Sequence, residues 1–93
     1  MTTENNTEEE TLFEFPCEFP VKAMGKKEKD METLVLTIVQ NHAPEATADD
    51  ITTNLSKNGK YISVTVNITA QSKKQLDAIY MELTGHPDVL YAI

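Results

Sequence analysis

The sequence predicts an α+β domain in which a four-stranded antiparallel sheet carries two helices on one of its faces. Apolar and polar residues alternate in three segments, which is the period of strands that bury one face, and a fourth segment, residues 89–93, is rich in strand-forming residues. Two further segments repeat apolar residues at intervals of three and four, which is the period of an amphipathic helix. The order is strand, helix, hairpin, helix, strand. That order is typical of a ferredoxin-like βαββαβ sandwich.

The strands are predicted over residues 19–24, 51–55, 61–70 and 89–93. Gly25 is expected to end the first strand, and Asn58-Gly59 supplies residues that adopt positive φ in the turn of the central hairpin. Right-handed crossovers place the first and third strands at the centre of the sheet and the other two at its edges. One face of the sheet is therefore expected to stay uncovered.

The first helix is predicted over 28–43, before Pro44. Its core stripe is expected to contain Met31, Leu34, Val35, Ile38 and His42. The second helix is predicted to open with a capping box of Ser72 and Gln75 and to end at Gly85 in a left-handed cap.

The whole chain has a net charge of −7 and eight lysines. Its acidic residues are concentrated near the start. Residues 1–11 are polar, contain no lysine and lack an apolar pattern, so they are predicted to be a disordered acidic tail. Residues 12–93 are predicted to form one domain. We expect a cytoplasmic protein without a membrane partner, because the sequence has neither an export signal nor a spanning apolar run.

The basic residues are all lysines, and the absence of arginine argues against several functions. Nucleic acid is not expected as a partner, because arginine is the side chain best suited to gripping phosphate. An acylphosphatase-like hydrolase would need an arginine for the phosphoryl oxygens, and a metallochaperone would need paired cysteines, whereas this chain has Cys17 alone. An RNA-binding sheet would need several aromatic residues on the open face, where only Tyr61 is expected.

Two groups of residues are candidates for ligand binding. Gly25, Lys26 and Lys27 form the loop before the first helix, where an anion would meet the helix N-terminus. Thr65 and Asn67 are expected on the open sheet face, where they would contact a small molecule or a second sheet. For each group the simpler interpretation is also open: a tight turn with solvated lysines, and ordinary outward polar residues.

The remaining chemically versatile side chains are interpreted as structural. His42 ends a helix, Cys17 lies between prolines, and His86 precedes Pro87 in a loop. Their spacing does not fit a metal site. No catalytic residue, metal or cofactor is predicted.

Short motifs along residues 13–93 make the chain resemble the YbeD-like family of small bacterial proteins. The motifs include Phe15-Pro16, Met24-Gly25 and His42-Ala43-Pro44. The resemblance implies a ferredoxin-like fold similar to the ACT-type regulatory domains that bind amino acids. It also implies a proposed link to lipoate metabolism, but no active site to carry over.

The sequence and the resemblance together favour a non-enzymatic regulatory or binding domain that responds to a small metabolite. The alternative is an interaction adaptor that uses the open sheet face or the edge strands to bind a protein or a second copy of itself. An enzyme using His42 or Cys17 is the third hypothesis.

Overall fold

Residues 14–93, which are the residues that the computed structural model describes, form four strands and two helices in the order βαββαβ. The elements are β1 (Cys17–Lys26), α1 (Met31–Gln40), β2 (Ile51–Leu55), β3 (Tyr61–Ala70), α2 (Lys73–Thr84) and β4 (Val89–Ala92). A short 3-10 turn, Ala48–Asp50, precedes β2. The predicted acidic tail, residues 1–11, lies outside the described residues.

The strands form one antiparallel sheet in the order β2-β3-β1-β4, so the predicted α+β fold is confirmed. The two long strands β1 and β3 pair at the centre, with Val21 opposite Val66. The shorter strands β2 and β4 form the two edges. This placement follows from the two crossover connections: β1–α1–β2 leaves one strand position open, which β3 fills, and β3–α2–β4 passes over β1 to its far side.

Both helices lie on one face of the sheet, and the core is the layer between them. Alternate residues of the central strands point into this layer, among them Val21, Val64 and Val66, which are fully buried. The helices contribute the largest fully buried side chains, Met31, Ile79 and Leu83, together with Val35 and Val39. The intervening strand residues form the other face, which no helix covers; we call it the open face.

Of three local predictions made at glycines, two are wrong. The strand β1 does not stop at Gly25 but continues to Lys26, because Gly25 pairs with Ile62 on one side and Val89 on the other. Gly85 has a φ of −81° and is not left-handed, since the next N–H, that of His86, continues the right-handed turn by bonding to Leu83. Gly59 does have the predicted positive φ, at 73°.

The helix α1 is shorter than predicted at both ends. Asp30 is its N-cap and accepts a hydrogen bond from the Thr33 N–H over 3.4 Å, so residues 28–29 belong to the preceding turn. Because the helix ends at Gln40, His42 lies beyond it and not on its core stripe.

Candidate functional site

Three lysines meet at the end of the sheet where β1 finishes and β3 begins. Lys26 is the last residue of β1 and lies opposite Tyr61. The N–H of Lys27 donates to the carbonyl of Lys60 over 2.9 Å, which joins the β1–α1 loop to the β2–β3 turn. We call Lys26, Lys27 and Lys60 the lysine cluster. The sequence analysis named the first two; Lys60 was missed because only strand pairing brings the hairpin turn to this end.

Two shallow recesses border the lysine cluster. A recess of about 180 Å³ is lined by Lys26, Glu28, Lys60 and Tyr61. A second recess, of about 370 Å³, is lined by Lys27, Glu28, Gly59 and Lys60. Within residues 14–93, no carboxylate oxygen lies within 4.0 Å of the three ammonium groups. The cluster therefore presents a surplus of positive charge, which Glu28 offsets in part.

Gly25 lies beside the cluster but faces the core. A Cβ built on it would overlap the thioether of Met31 and lie 2.7 Å from the carbonyl oxygen of Asp88. The protein's own atoms thus fill the space in front of this glycine, and packing explains the absence of a side chain there. A ligand-binding role for Gly25 stays a prediction.

The start of α1 is occupied by side chains of the chain itself. The Asp30 carboxylate caps the helix, and Lys29 lies 3.9 Å from the Asp88 carboxylate across the β1–α1 and α2–β4 connections. The positive charge available to a ligand is therefore on the lysine cluster and not at the helix terminus.

Thr65 and Asn67 lie on the open face, as the alternation of β3 predicts, but they are not together with the lysine cluster. Thr65 is opposite Lys22 on β1 and Thr52 on β2. Asn67 is about 20 Å from Tyr61 at the rise of a strand. It borders a recess of about 300 Å³ whose lining includes the carboxylates Glu18 and Asp50. The open face thus has a basic end and an acidic end.

His42 is held by α2. Its Nε2 is 2.8 Å from Oε1 of Glu82, whose other oxygen accepts a hydrogen bond from the Asn41 side chain over 3.0 Å. The side chain of Gln75 donates to the His42 carbonyl over 2.7 Å. These bonds fix the end of α1 against α2. The sequence analysis missed Glu82, although its position two helical turns after Gln75 puts both on one side of α2.

Cys17 and His86 are the other two side chains that could act as a nucleophile or a metal ligand. Cys17 begins β1 opposite Ala70 and packs, half-buried, against the core. His86 accepts a hydrogen bond at Nδ1 from the Asp88 N–H over 3.1 Å. Among the residues that the structure describes, no three His, Cys, Asp or Glu side chains are grouped so that they could hold a metal ion.

Tyr80 ties α2 to the end of the β4 edge. Its hydroxyl donates to the Ile93 carbonyl over 2.6 Å, and its ring meets Phe19 edge-on at 6.5 Å. Burial raises the pKa of the Tyr80 hydroxyl above 10.0. The neutral hydroxyl is therefore the stable form, and it is the form that donates this hydrogen bond.

A family model described as "Protein of unknown function (DUF493)" matches residues 10–93. The chain belongs to this family. The match confirms the resemblance to YbeD-like proteins, which are the same group. What the family does is not established.

Curated bacterial relatives that are named UPF0250 proteins agree with the family match. The relative from Chromobacterium violaceum is 44% identical over 82 residues, which is 88% of this chain and 92% of the relative. The relative from Nitrosomonas europaea is 43% identical over 81 residues, covering 87% of this chain and 93% of the relative.

A solved structure has the same fold. The solution structure of protein HP0495 from H. pylori matches with a TM-score of 0.63 and covers 87% of this chain and 85% of its own, at 14% sequence identity. At that identity the likeness shows the fold alone.

Neither helix within residues 14–93 is long and apolar enough to cross a membrane.

Proposed function

We propose that the protein is a non-catalytic regulatory module, of ACT-like type, that binds an anionic metabolite at the lysine cluster. The observation that carries this proposal is the meeting of Lys26, Lys27 and Lys60 around two recesses that contain one carboxylate, Glu28. Three ammonium groups confined to one end of a small domain repel one another, and a bound anion would relieve that repulsion.

The surroundings of the cluster favour a carboxylate that carries an apolar chain. Tyr61 lines the smaller recess. Met24, two residues before Lys26 on β1, is its neighbour on the open face. Tyr91, which is 49% exposed, lies opposite Met24 on β4. A ligand with its carboxylate at Lys26 would lay an aliphatic chain over Met24 and Tyr91. Octanoate and lipoate have this chemistry, which is consistent with the lipoate link that the family resemblance implies.

The side chains most suited to catalysis support a role without chemistry. His42 is held by Glu82, and Cys17 starts a central strand opposite Ala70. A cysteine nucleophile needs a base within hydrogen-bond reach, and the contacts described above give Cys17 none.

A thermal-shift titration tests the proposal. We expect octanoate or lipoate to raise the melting temperature of the protein in a concentration-dependent way, because a ligand that binds only the folded state stabilises it. The double variant Lys26→Ala/Lys60→Ala should lose this shift. The double variant Lys73→Ala/Lys74→Ala removes the same charge from the start of α2 and should keep it.

Amino acids and inorganic phosphate complete the titration series. A shift with phosphate alone would assign the cluster to simple anions and contradict a carboxylate-specific site. The proposal also fails if no member of the series shifts the melting temperature, or if the shift persists in Lys26→Ala/Lys60→Ala.

The open face favours a second candidate function, that of an interaction adaptor. Its β2–β3 half carries uncharged polar side chains, Ser63 and Thr65 on β3 with Thr52 and Asn54 on β2. Such a surface suits a partner that makes hydrogen bonds more than apolar contacts. If a partner binds here, Thr65→Lys and Asn67→Lys should abolish its capture in a pull-down; unchanged capture would remove the face from consideration.

A further inference from the structure

The two edges of the sheet differ in their side chains. The β4 edge and the residue after it expose the uncharged side chains of Leu90 (51%), Tyr91 (49%) and Ile93 (66%). The β2 edge exposes one large apolar residue, Leu55, after threonines and an asparagine. Proteins protect an edge strand with charge, proline or cover because its unpaired backbone attracts other strands. None of these protects β4 within residues 89–93.

The backbone of β4 has hydrogen-bonding groups that point away from the sheet. Ile93 and Lys22 exchange both of their backbone hydrogen bonds, at 2.9 and 3.2 Å. Because such pairs alternate along an antiparallel ladder, Tyr91 also bonds inward and Ala92 points its N–H and C=O outward. Leu90 has no partner on β1, because a bulge shifts the register at Met24/Gly25. Leu90 and Ala92 are thus available to another strand.

We propose that β4 pairs antiparallel with β4 of a second copy, about a two-fold axis at Tyr91. In this register Leu90 of each copy faces Ala92 of the other, so all the outward groups of both residues are matched. The two Tyr91 residues then form a pair without backbone hydrogen bonds, in which side chains lie closest. The result is one continuous eight-stranded sheet.

A second copy fits this edge better than an unrelated strand for two reasons. The outward residues are spaced symmetrically about Tyr91, so the edge is complementary to itself under a two-fold axis. Because the side chains of residues 89–93 are all uncharged, pairing two copies brings no like-charged side chains of this strand together. The pairing is isologous and closes at two copies, leaving the polar β2 edges outermost.

The edge is ordered before it pairs. Tyr80 donates to the Ile93 carbonyl, and the Lys22 N–H donates to the same oxygen, so the end of β4 is held by both α2 and β1. A strand fixed in its paired conformation loses little entropy on association. The interface is nevertheless small, and we expect a dimer of the low-affinity class that forms at high protein concentration.

Sedimentation velocity from about 10 μM to about 1 mM tests the proposal over the range in which small interfaces associate. The expected result is a reversible rise from the monomer mass of 10.4 kDa toward twice that value. The net charge of −7 opposes association, so adding salt should strengthen the dimer.

Ala92→Pro removes an outward N–H without touching the inward ladder, and a proline is tolerated there on an edge strand. We expect it to raise the dissociation constant at least about tenfold, because the hydrogen bonds around it are lost. Thr53→Pro is the matched control on β2. The bond from the Ser56 N–H to the Tyr61 carbonyl sets the alternation there and points Thr53 outward too.

The proposal is overturned if the wild-type protein stays monomeric at all concentrations, or if Ala92→Pro leaves the dimer intact. A dimer lost in Thr53→Pro but kept in Ala92→Pro would assign the interface to β2. Circular dichroism checks that each variant folds. Should Ala92→Pro not fold, Tyr91→Lys gives the same test by placing two like charges at the axis.

A cross-linking experiment gives an independent reading. In a Cys17→Ser background, Tyr91→Cys should form an inter-copy disulfide under mild oxidation, because the two Cβ atoms face each other at the axis. Tyr61→Cys lies on the same open face but on a central strand, and it should not. Equal cross-linking of both variants would contradict the proposed axis.

Discussion

The two faces of the sheet are made by alternate residues of the same strands, yet their environments are opposite. On β3, Val64 and Val66 are completely buried under the helices, whereas Asn67 is exposed on the open face. Burial of apolar area stabilises the fold, and a polar residue at the surface contributes little. The comparison teaches that stability depends on one face, so the other is free to carry a binding function.

The largest expected effect is on the covered face. Ile79→Ala removes a fully buried side chain from the inner side of α2 and should lower the free energy of unfolding by about 2–5 kcal/mol. Met81→Ala, on the same helix, truncates a side chain that is 74% exposed and should change it by less than about 0.5 kcal/mol. Urea denaturation measures both. Equal losses would contradict the division of α2 into a buried and an exposed side.

A smaller effect is expected at Gly25, where the covered face has no room. Gly25→Ala places a methyl group against Met31 and the Asp88 carbonyl, and should cost about 1–3 kcal/mol through overpacking. Gly25→Ala combined with Met31→Ala would show whether the thioether is the obstacle. No change in the unfolding midpoint for the single variant would mean that the close packing at this glycine is relieved without cost.

Tyr80→Phe tests the tie between the covered face and the β4 edge. Losing the hydrogen bond to the Ile93 carbonyl should cost about 0.5–1.5 kcal/mol at neutral pH. Because burial raises the Tyr80 pKa, the neutral form contributes stability below pH 10.0, and this contribution falls as the pH rises through the folded-state pKa. The wild-type melting temperature should therefore fall more steeply above pH 10.0 than that of Tyr80→Phe. Parallel curves would contradict this assignment.

The smallest effect is expected on the open face. Thr65→Ala and Asn67→Ala should each change the free energy of unfolding by less than about 0.5 kcal/mol, because neither side chain fills the core. Val66→Ala, between them on β3, is the matched control and should be clearly destabilising. A large loss for Thr65→Ala would mean that the open face is needed for folding and is not free to serve binding.

Local pattern was sufficient to predict the elements and their order. The alternation of Tyr61–Ala70 identifies a strand and the face that it buries, because a strand places successive side chains on opposite sides. The capping residue Ser72 marks the start of α2, since its hydroxyl accepts from the Gln75 N–H. The left-handed cap at Gly85 was predicted wrongly, because the conformation after a helix depends on where the following segment must go.

The candidate site was only half predictable. The sequence by itself determined a sheet with one covered face, and it identified Lys26 and Lys27 as a charged loop. Only the tertiary structure joined Lys60 to that loop, separated Asn67 from it and set Glu82 beside His42. It also left β4 as an uncharged edge. The physical reason is that periodicity acts between neighbours in sequence, whereas a site depends on contacts that strand pairing and helix packing make between distant segments.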